Sequence, residues 1–269
     1  MTTNTFKQRV LARHPQYGLF IVSNALQTTE AVSGSGFDYM VFDVEHSPSS
    51  TPALHAQLAA LAGSGTASVV RMTGLDLASS KHYLDLGVDA LMVPNINTAA
   101  QAREAIRFTR YPAAGGIRGM GGTMRSTRYG RDKGYFAAAA DNTCVLIQIE
   151  SREAMSNLDA ICAVDGVDLV FFGPTDLSAD MGYMGQPGHP EVVGAIEAGI
   201  RRANQLGVAA GVLAGDPDCQ RYIDAGATMV ILGSDLGLLV RGCDTLAAKY
   251  VKPFVPANQP ASQPLARTI

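Results

Sequence analysis

The sequence predicts an α/β protein built as a single (β/α)8 TIM barrel, and three observations predict it. Short β-branched or aromatic runs alternate with longer segments of helical period, the pattern of βα units around a parallel sheet. Eight such runs fit within 269 residues, a length that leaves two ordinary domains open but suits one eight-unit barrel. Glycine recurs just ahead of strands, in Gly36-Phe37-Asp38, Gly87-Val88-Asp89, Gly166-Val167-Asp168 and Gly226-Ala227-Thr228. There a left-handed turn ends a helix and sends the chain back into the sheet.

In chain order the strands are expected at Leu19–Asn24, Tyr39–His46, Ala67–Met72, Ala90–Ile96, Cys144–Glu150, Leu169–Pro174, Ala209–Ala214 and Met229–Asp235. Their near-continuous apolar character suits strands buried on both faces. Helices are expected at Ala99–Thr109, Arg152–Cys162 and Pro190–Leu206, where apolar residues recur three and four apart, and a last apolar helix at Asp235–Val251. The connection Arg110–Asn142 breaks the rhythm between the fourth and fifth strands, and its length predicts a lid or an oligomer contact. The barrel is expected to fill residues 1–252, and the Pro-, Gln- and Ser-rich segment 253–269 to be a loosely ordered tail.

With 47% hydrophobic and 17% charged residues the chain can bury a large core. Its net charge of −3 and lack of a basic run exclude an extended nucleic-acid footprint or a polybasic membrane patch, so the expected partner is a small molecule. No apolar run is long enough for a membrane span, and the first twenty residues do not read as a secretory leader; a cytoplasmic protein is expected. The cysteines (Cys144, Cys162, Cys219, Cys243) show no C-x-x-C and read as buried, reduced thiols.

In a barrel of this kind catalytic groups sit at the C-terminal ends of strands. Four ends are polar here: Asp43-Val44-Glu45-His46, Arg71, Gln148-Ile149-Glu150 and Gly173-Pro174-Thr175-Asp176. Neighbouring strands lie about 5 Å apart, so Glu150 and Asp176 are within reach of one cation. Two oxygen ligands suit Mg²⁺, Mn²⁺ or Co²⁺ rather than zinc. The alternative is that each carboxylate caps a helix or pairs with an arginine. Arg71 can fork onto a carboxylate or keto oxygen, or pair with Asp43 or Asp85. His46, of the five histidines, follows an acidic strand end, which suits acid–base work, and Asp85 is a candidate to orient it. The glycines of Gly115–Gly122 fit neither phosphate-binding spacing and read as a connector, and the scattered methionines read as core filler.

The segments FDVEHSP (42–48), LMVPNINTAAQAREAIRFTRYP (91–112), GIRGMGG (116–122), QIES (148–151) and FFGPTDLSADMGYMGQPGHPEV (171–192) resemble the HpcH/HpaI aldolases, metal-dependent class II pyruvate aldolases, over about residues 16–250. The resemblance implies a barrel of the phosphoenolpyruvate/pyruvate-binding type. It implies a divalent ion (Mg²⁺, Mn²⁺ or Co²⁺) on Glu150 and Asp176, Arg71 at the keto oxygen, and a dyad of His46 with Asp85. It places Gln148 near the keto acid and the backbone around Gly173, Pro174, Thr175 and Asp176 at its carboxylate, with Asp43 in support. Thr175 departs from the Ala or Ser common in related sequences and leaves the 2-oxo acid donor open. The implied reaction is reversible cleavage of a 4-hydroxy-2-oxo acid of the heptanedioate type to pyruvate and an aldehyde through a metal-stabilised enolate. A homohexamer, a trimer of dimers with the last helix swapped onto a neighbour, is implied as well, with an arginine or tyrosine of residues 118–131 shielding the neighbour's pocket. Two other readings are a CoA-ester lyase, for which no basic patch or extra domain is evident, and a non-catalytic small-acid-binding barrel, which would not need His46.

Overall fold

The computed structural model describes residues 4–215 and 218–252; the expected tail at 253–269 lies outside the described residues. Eight parallel strands close into a barrel in chain order: β1 (Gln16–Ile21), β2 (Tyr39–Asp43), β3 (Ala67–Arg71), β4 (Ala90–Val93), β5 (Cys144–Ile149), β6 (Leu169–Phe172), β7 (Ala209–Leu213) and β8 (Met229–Ser234). The register aligns Asp43 with Arg71 and Gln148 with Phe171, and the barrel closes where Gln16 meets Met229.

The helices are α1 (Thr5–Leu11), α2 (Leu26–Ser33), α3 (Thr51–Leu61), α4 (Leu77–Asp85), α5 (Ala99–Thr109), α6 (Tyr135–Asn142), α7 (Arg152–Ser156), α8 (Leu158–Cys162), α9 (Pro174–Asp180), α10 (Pro190–Gln205), α11 (Cys219–Ala225) and α12 (Asp235–Tyr250). Successive strand residues point to opposite faces, and both faces are covered. Phe20, Val41, Val69, Met92, Leu146, Phe171 and Ile231 fill the interior, while Leu19, Ile21, Met40, Phe42 and Val70 face the helices. That double burial is why the strands read as continuous apolar runs. Helix α1, which the strand pattern did not predict, adds Phe6 and Val10 to the interior cluster.

The glycine turns do what their spacing predicts: Gly36, Gly87, Gly166 and Gly226 have φ of 85°, 76°, 97° and 105°. The aspartates two residues on have a second task. Asp38 accepts the Tyr17 amide (2.9 Å), Asp89 the Ser68 amide (2.8 Å) and Asp168 the Val145 amide (2.9 Å). Each carboxylate thereby ties the strand it precedes to the strand before it.

Several boundaries differ from expectation, each for a local reason. Strand β1 runs Gln16–Ile21 rather than Leu19–Asn24, because the amides of Val22 and Ser23 turn to the Asp235 carboxylate (2.9 and 3.3 Å). Strand β2 stops at Asp43 because Asp43 Oδ1 captures the amides of Glu45 and His46 (3.0 and 3.2 Å). The helix expected over Arg152–Cys162 breaks at Asn157, whose side chain donates to the Asn97 carbonyl (2.8 Å). Cys144 and Cys162 are buried and free as expected, but Cys219 is half-buried and Cys243 exposed.

The connector after α5 contains two 3-10 turns and α6, and it leads into the start of β5. It therefore lies at the N-terminal end of the barrel and is no lid over this chain's own strand ends. Arg125 fastens it there by donating to the carbonyls of Leu86 and Leu58 (2.7 and 3.0 Å). Helix α12 is capped by Ser234, which accepts from the Gly237 amide (3.1 Å), and it leaves Leu238, Leu239, Val240 and Leu246 exposed. Among the described residues no helix is long and apolar enough to cross a membrane.

Asp235 is 4% exposed and links the last helix to the end of the first strand. Replacing it with Ala orphans two amides at the barrel seam and is expected to cost about 2 kcal/mol, read as a lower urea midpoint at unchanged slope; an unchanged midpoint contradicts the assigned role.

Candidate active site

The polar strand ends meet in one cavity of about 370 Å³, bordered by His46, Arg71, Gln148, Gly173, Thr175 and Asp176 among others. A larger hollow of about 650 Å³ opens at the opposite end, beside Asn4, Asp89 and Asn142, and none of these strand ends borders it.

Asp43 is the hub of the cavity wall. It is 3% exposed and receives Arg71 in two parallel bonds, Nε to Oδ1 at 3.0 Å and Nη2 to Oδ2 at 2.8 Å. The pairing expected as an alternative for Arg71 is thus present, with Asp43 and not with Asp85. It does not take Arg71 out of the cavity. A guanidinium has five donors, and Nη1 points on to Glu45 Oε2 at 3.3 Å while the group stacks 4.7 Å from the Phe20 ring centroid. Asp43 also shapes the turn that carries the histidine: it holds the amides of Glu45 and His46, and its carbonyl accepts from the Ser47 hydroxyl. His46 emerges with its side chain 61% exposed and Nε2 3.6 Å from Glu45 Oε2.

Glu150 is 5% exposed. One oxygen accepts from the Asn95 amide (2.7 Å), the other from Gln148 Nε2 (2.9 Å). Burial, reinforced by the negative charges of Asp176 and Glu45 against the Asn95 amide and Arg71, pushes its carboxyl up to about 7 from an ordinary 4.5. Burial likewise raises Glu45. Gly173 makes room for this: a Cβ there would lie 2.8 Å from Glu150 Oε2.

Three carboxylates that feel one another beside one arginine, with Gln148 Oε1 buried and unpartnered among the described residues, form a setting short of positive charge and rich in oxygen. That donor set fits a hard divalent cation on Glu150 and Asp176. Among the described residues no three His, Cys, Asp or Glu side chains are grouped as a metal cage.

Asp85 is not in this cavity. It ends α4, which runs back from the mouth, and nine residues at about 1.5 Å each span about 13 Å toward the other end. Its carboxylate accepts from Arg118 (2.8 Å), a guanidinium 1% exposed between Tyr111 and Tyr135, 4.6 and 5.9 Å from their ring centroids. The His46–Asp85 dyad is therefore not formed within one chain.

Three contributors were given no role in the sequence reading. Asn95, at φ 58°, turns its amide onto Glu150 and its side chain toward Glu45 Oε1 (3.3 Å). The available signal was a polar residue near the end of the expected fourth strand, Ala90–Ile96, which the structure ends at Val93. Glu45 itself and Arg241, which reaches the cavity from α12, are the others.

With that geometry in view, the model of the HpcH/HpaI aldolase/citrate lyase family matches residues 16–242. The chain belongs to this family. It is similar to 4-hydroxy-2-oxo-heptane-1,7-dioate aldolases from Shigella sonnei (45% identity over 92% of this chain and 95% of the relative) and Klebsiella pneumoniae (45% over 92% and 94%). Among solved structures, an HpcH/HpaI aldolase/citrate lyase family protein from Burkholderia cenocepacia superposes with a TM-score of 0.88 at 33% identity, covering 92% of this chain and 99% of that one. This HpcH/HpaI family member is a lyase.

The state of Glu150 yields a pH test. A carboxyl that binds its proton more tightly when folded stabilises the fold fully below the unfolded value and ceases to do so above the folded one. For Glu150 that window runs from about 4.5 to about 7. Glu150→Gln cannot ionise, so in chelator-treated protein its melting temperature relative to the parent is expected to rise across that window. A constant difference contradicts the shift.

Proposed function

We propose that this lyase is a divalent-metal-dependent aldolase that reversibly cleaves a 4-hydroxy-2-oxo acid to pyruvate and an aldehyde. The observation that carries the reading is the buried Glu150 carboxylate beside Asp176 and Arg71 at the C-terminal mouth of the barrel. The names of the 45%-identical relatives support it.

Glu150 and Asp176 would hold the ion, and a bound divalent cation supplies Lewis-acid polarisation of the 2-oxo group. The amides that open α9, at Thr175 and Asp176, stand where the substrate carboxylate is received. Arg71 is held rigid by Asp43 before substrate arrives, so its charge is already in place where the keto oxygen turns into an enolate oxygen. Such preorganised charge is typically worth several kcal/mol, about 3 for one donor. Gln148, fixed through its donation from Nε2 to Glu150, borders the keto-acid end of the cavity and leaves its oxygen to accept from a hydroxyl or a water there.

His46 takes the proton of the C4 hydroxyl. The C3–C4 electron pair passes to C3 and the keto oxygen, the C4 fragment leaves as the aldehyde, and protonation of C3 gives pyruvate. Because Asp85 sits at the far end of its own barrel, its pairing with His46 requires a second copy of the chain. The exposed apolar residues of α12 and the connector beside Asp85 are the surfaces for that association, and a hexamer arranged as a trimer of dimers is the assembly proposed. Loops of residues 118–131 then close the neighbour's mouth.

Asp176→Asn and Glu150→Gln are each expected to lower release of pyruvate from the hydroxy-oxo acid by about a hundredfold or more, as loss of one of two anionic ligands should. Activity removed by EDTA should return with Mg²⁺, Mn²⁺ or Co²⁺, and full turnover after chelation contradicts the proposal.

His46→Ala is expected to slow carbon–carbon cleavage much more than proton exchange at the methyl of pyruvate. Mixing His46→Ala with Asp85→Asn subunits should restore cleavage that neither variant shows alone. A fully active species of monomer mass by light scattering contradicts the shared site.

A further inference from the structure

Asp85 is the last residue of α4, where a carboxylate meets the negative end of the helix dipole and is favoured to turn into solvent. It does not turn out. Arg118 Nη2 holds Oδ1 at 2.8 Å, from a side chain 0% exposed to one 20% exposed. Oδ2 has no hydrogen-bond partner among the described residues. Asp85 borders a recess of about 480 Å³ together with His55, His82, Leu86 and Tyr129, and among the described residues neither histidine bonds it. One oxygen is thus gripped from inside the protein, and the other is left to a visitor.

The grip is rigid. The connector is stitched to the end of α5 by the amides of Gly116 to the Tyr111 carbonyl (3.1 Å), Ile117 to Arg107 (3.0 Å) and Arg118 to Arg110 (3.0 Å). Only glycine fits at 116, because a Cβ there would lie 1.9 Å from the Arg110 carbonyl oxygen. The guanidinium is then sandwiched between the rings of Tyr111 and Tyr135, and Nη2 also donates to the Tyr135 hydroxyl at 3.1 Å. Nε and Nη1 have no partner among the described residues, so the one anion this buried cation holds is Asp85. Arg125 fixes the same helix end through the Leu86 carbonyl.

We infer that Arg118 is a positioning residue for the shared site: it aims Asp85 out of its own barrel, so that the carboxylate orients His46 of a second copy for proton transfer from the C4 hydroxyl. The inference rests on the aldolase reading with its shared His46–Asp85 pair, and adds the residue that sets the geometry of that pair. Arg118 touches neither substrate nor metal ion. Its effect therefore falls on kcat for cleavage and not on KM for the hydroxy-oxo acid.

The test uses the full chain with Mg²⁺ or Mn²⁺. Arg118→Gln is expected to lower kcat for cleavage about ten- to a hundredfold, the range for a lost hydrogen bond to a charged group, while exchange of the pyruvate methyl protons for deuterium keeps the parent's rate. Added to Asp85→Asn, it should lower cleavage no further, since both changes remove one interaction. Arg118→Lys keeps the charge and should recover part of the loss; if Arg118→Gln does not fold, Arg118→Lys carries the same comparisons with a smaller drop. Co-expression separates aim from general damage. Arg118→Gln subunits mixed with His46→Ala subunits should regain cleavage, because the second kind brings an intact Asp85 to the first kind's His46. Mixed with Asp85→Asn subunits they should not.

Parallel loss of cleavage and methyl exchange, an additive double variant, or recovery with Asp85→Asn subunits overturns this inference and leaves the aldolase reading standing. If His46→Ala and Asp85→Asn subunits fail to rescue each other, the shared pair falls and this inference falls with it.

Discussion

A carboxylate as buried as Asp43 needs a cation and several donors close by, because an unpaired charge in that position costs several kcal/mol. Arg71, directly opposite it in register on β3, meets the need with a two-pronged bond. The turn after β2 supplies two amides more. One carboxylate thus fixes the direction of the arginine and the path of the chain that carries Glu45 and His46. Arg71 cannot swing out to meet a substrate, and it has no need to. Its orientation is settled when β2 and β3 pair, so the barrel's folding energy covers the cost of ordering it.

The same pair leaves the mouth short of positive charge. Asp43 claims the guanidinium most strongly, and Glu45 takes what remains, so Glu150 and Asp176 face each other with little compensation. Glu150 responds by holding its proton to about 7. Asn95 moderates this by accepting a left-handed backbone to aim its amide at the carboxylate. For a residue with a Cβ such a conformation costs about 1–3 kcal/mol. Strain at that point makes sense if the ionised carboxylate is the working form, because an amide donor favours that form and opposes the desolvation.

What could be read from the sequence was whatever leaves a periodic or positional mark. Double burial wrote eight apolar runs, left-handed returns wrote glycines, and the polar ends of β2, β3, β5 and β6 stood out against both. The G-x-D repeat was legible as a turn, but the bond from each aspartate to the neighbouring strand depends on barrel register. Asn95 left only the faint mark of one polar residue near a strand end, because its shorter bond to the site is made by a backbone amide, which every residue but proline owns. Asp85 was legible as chemistry and not as place: a helix running back from the mouth moves its last residue away from the strand end it follows.

That displacement gives the two ends of the barrel complementary shortages. At the mouth, His46 is exposed and has no aspartate of its own chain to orient it other than Asp43, whose oxygens are already committed to Arg71 and to amides. At the opposite end, Asp85 is held by an arginine sealed between two tyrosines, far from any histidine its own mouth carries. Burying a guanidinium such as Arg118, with two of its nitrogens unpartnered among the described residues, is expensive for a half-buried carboxylate that has nothing to do. The expense is intelligible if Asp85 must be presented rigidly to something outside its own barrel. A second copy of the chain, bringing its strand ends against this end, would supply both the missing histidine and the cover for the apolar face of α12.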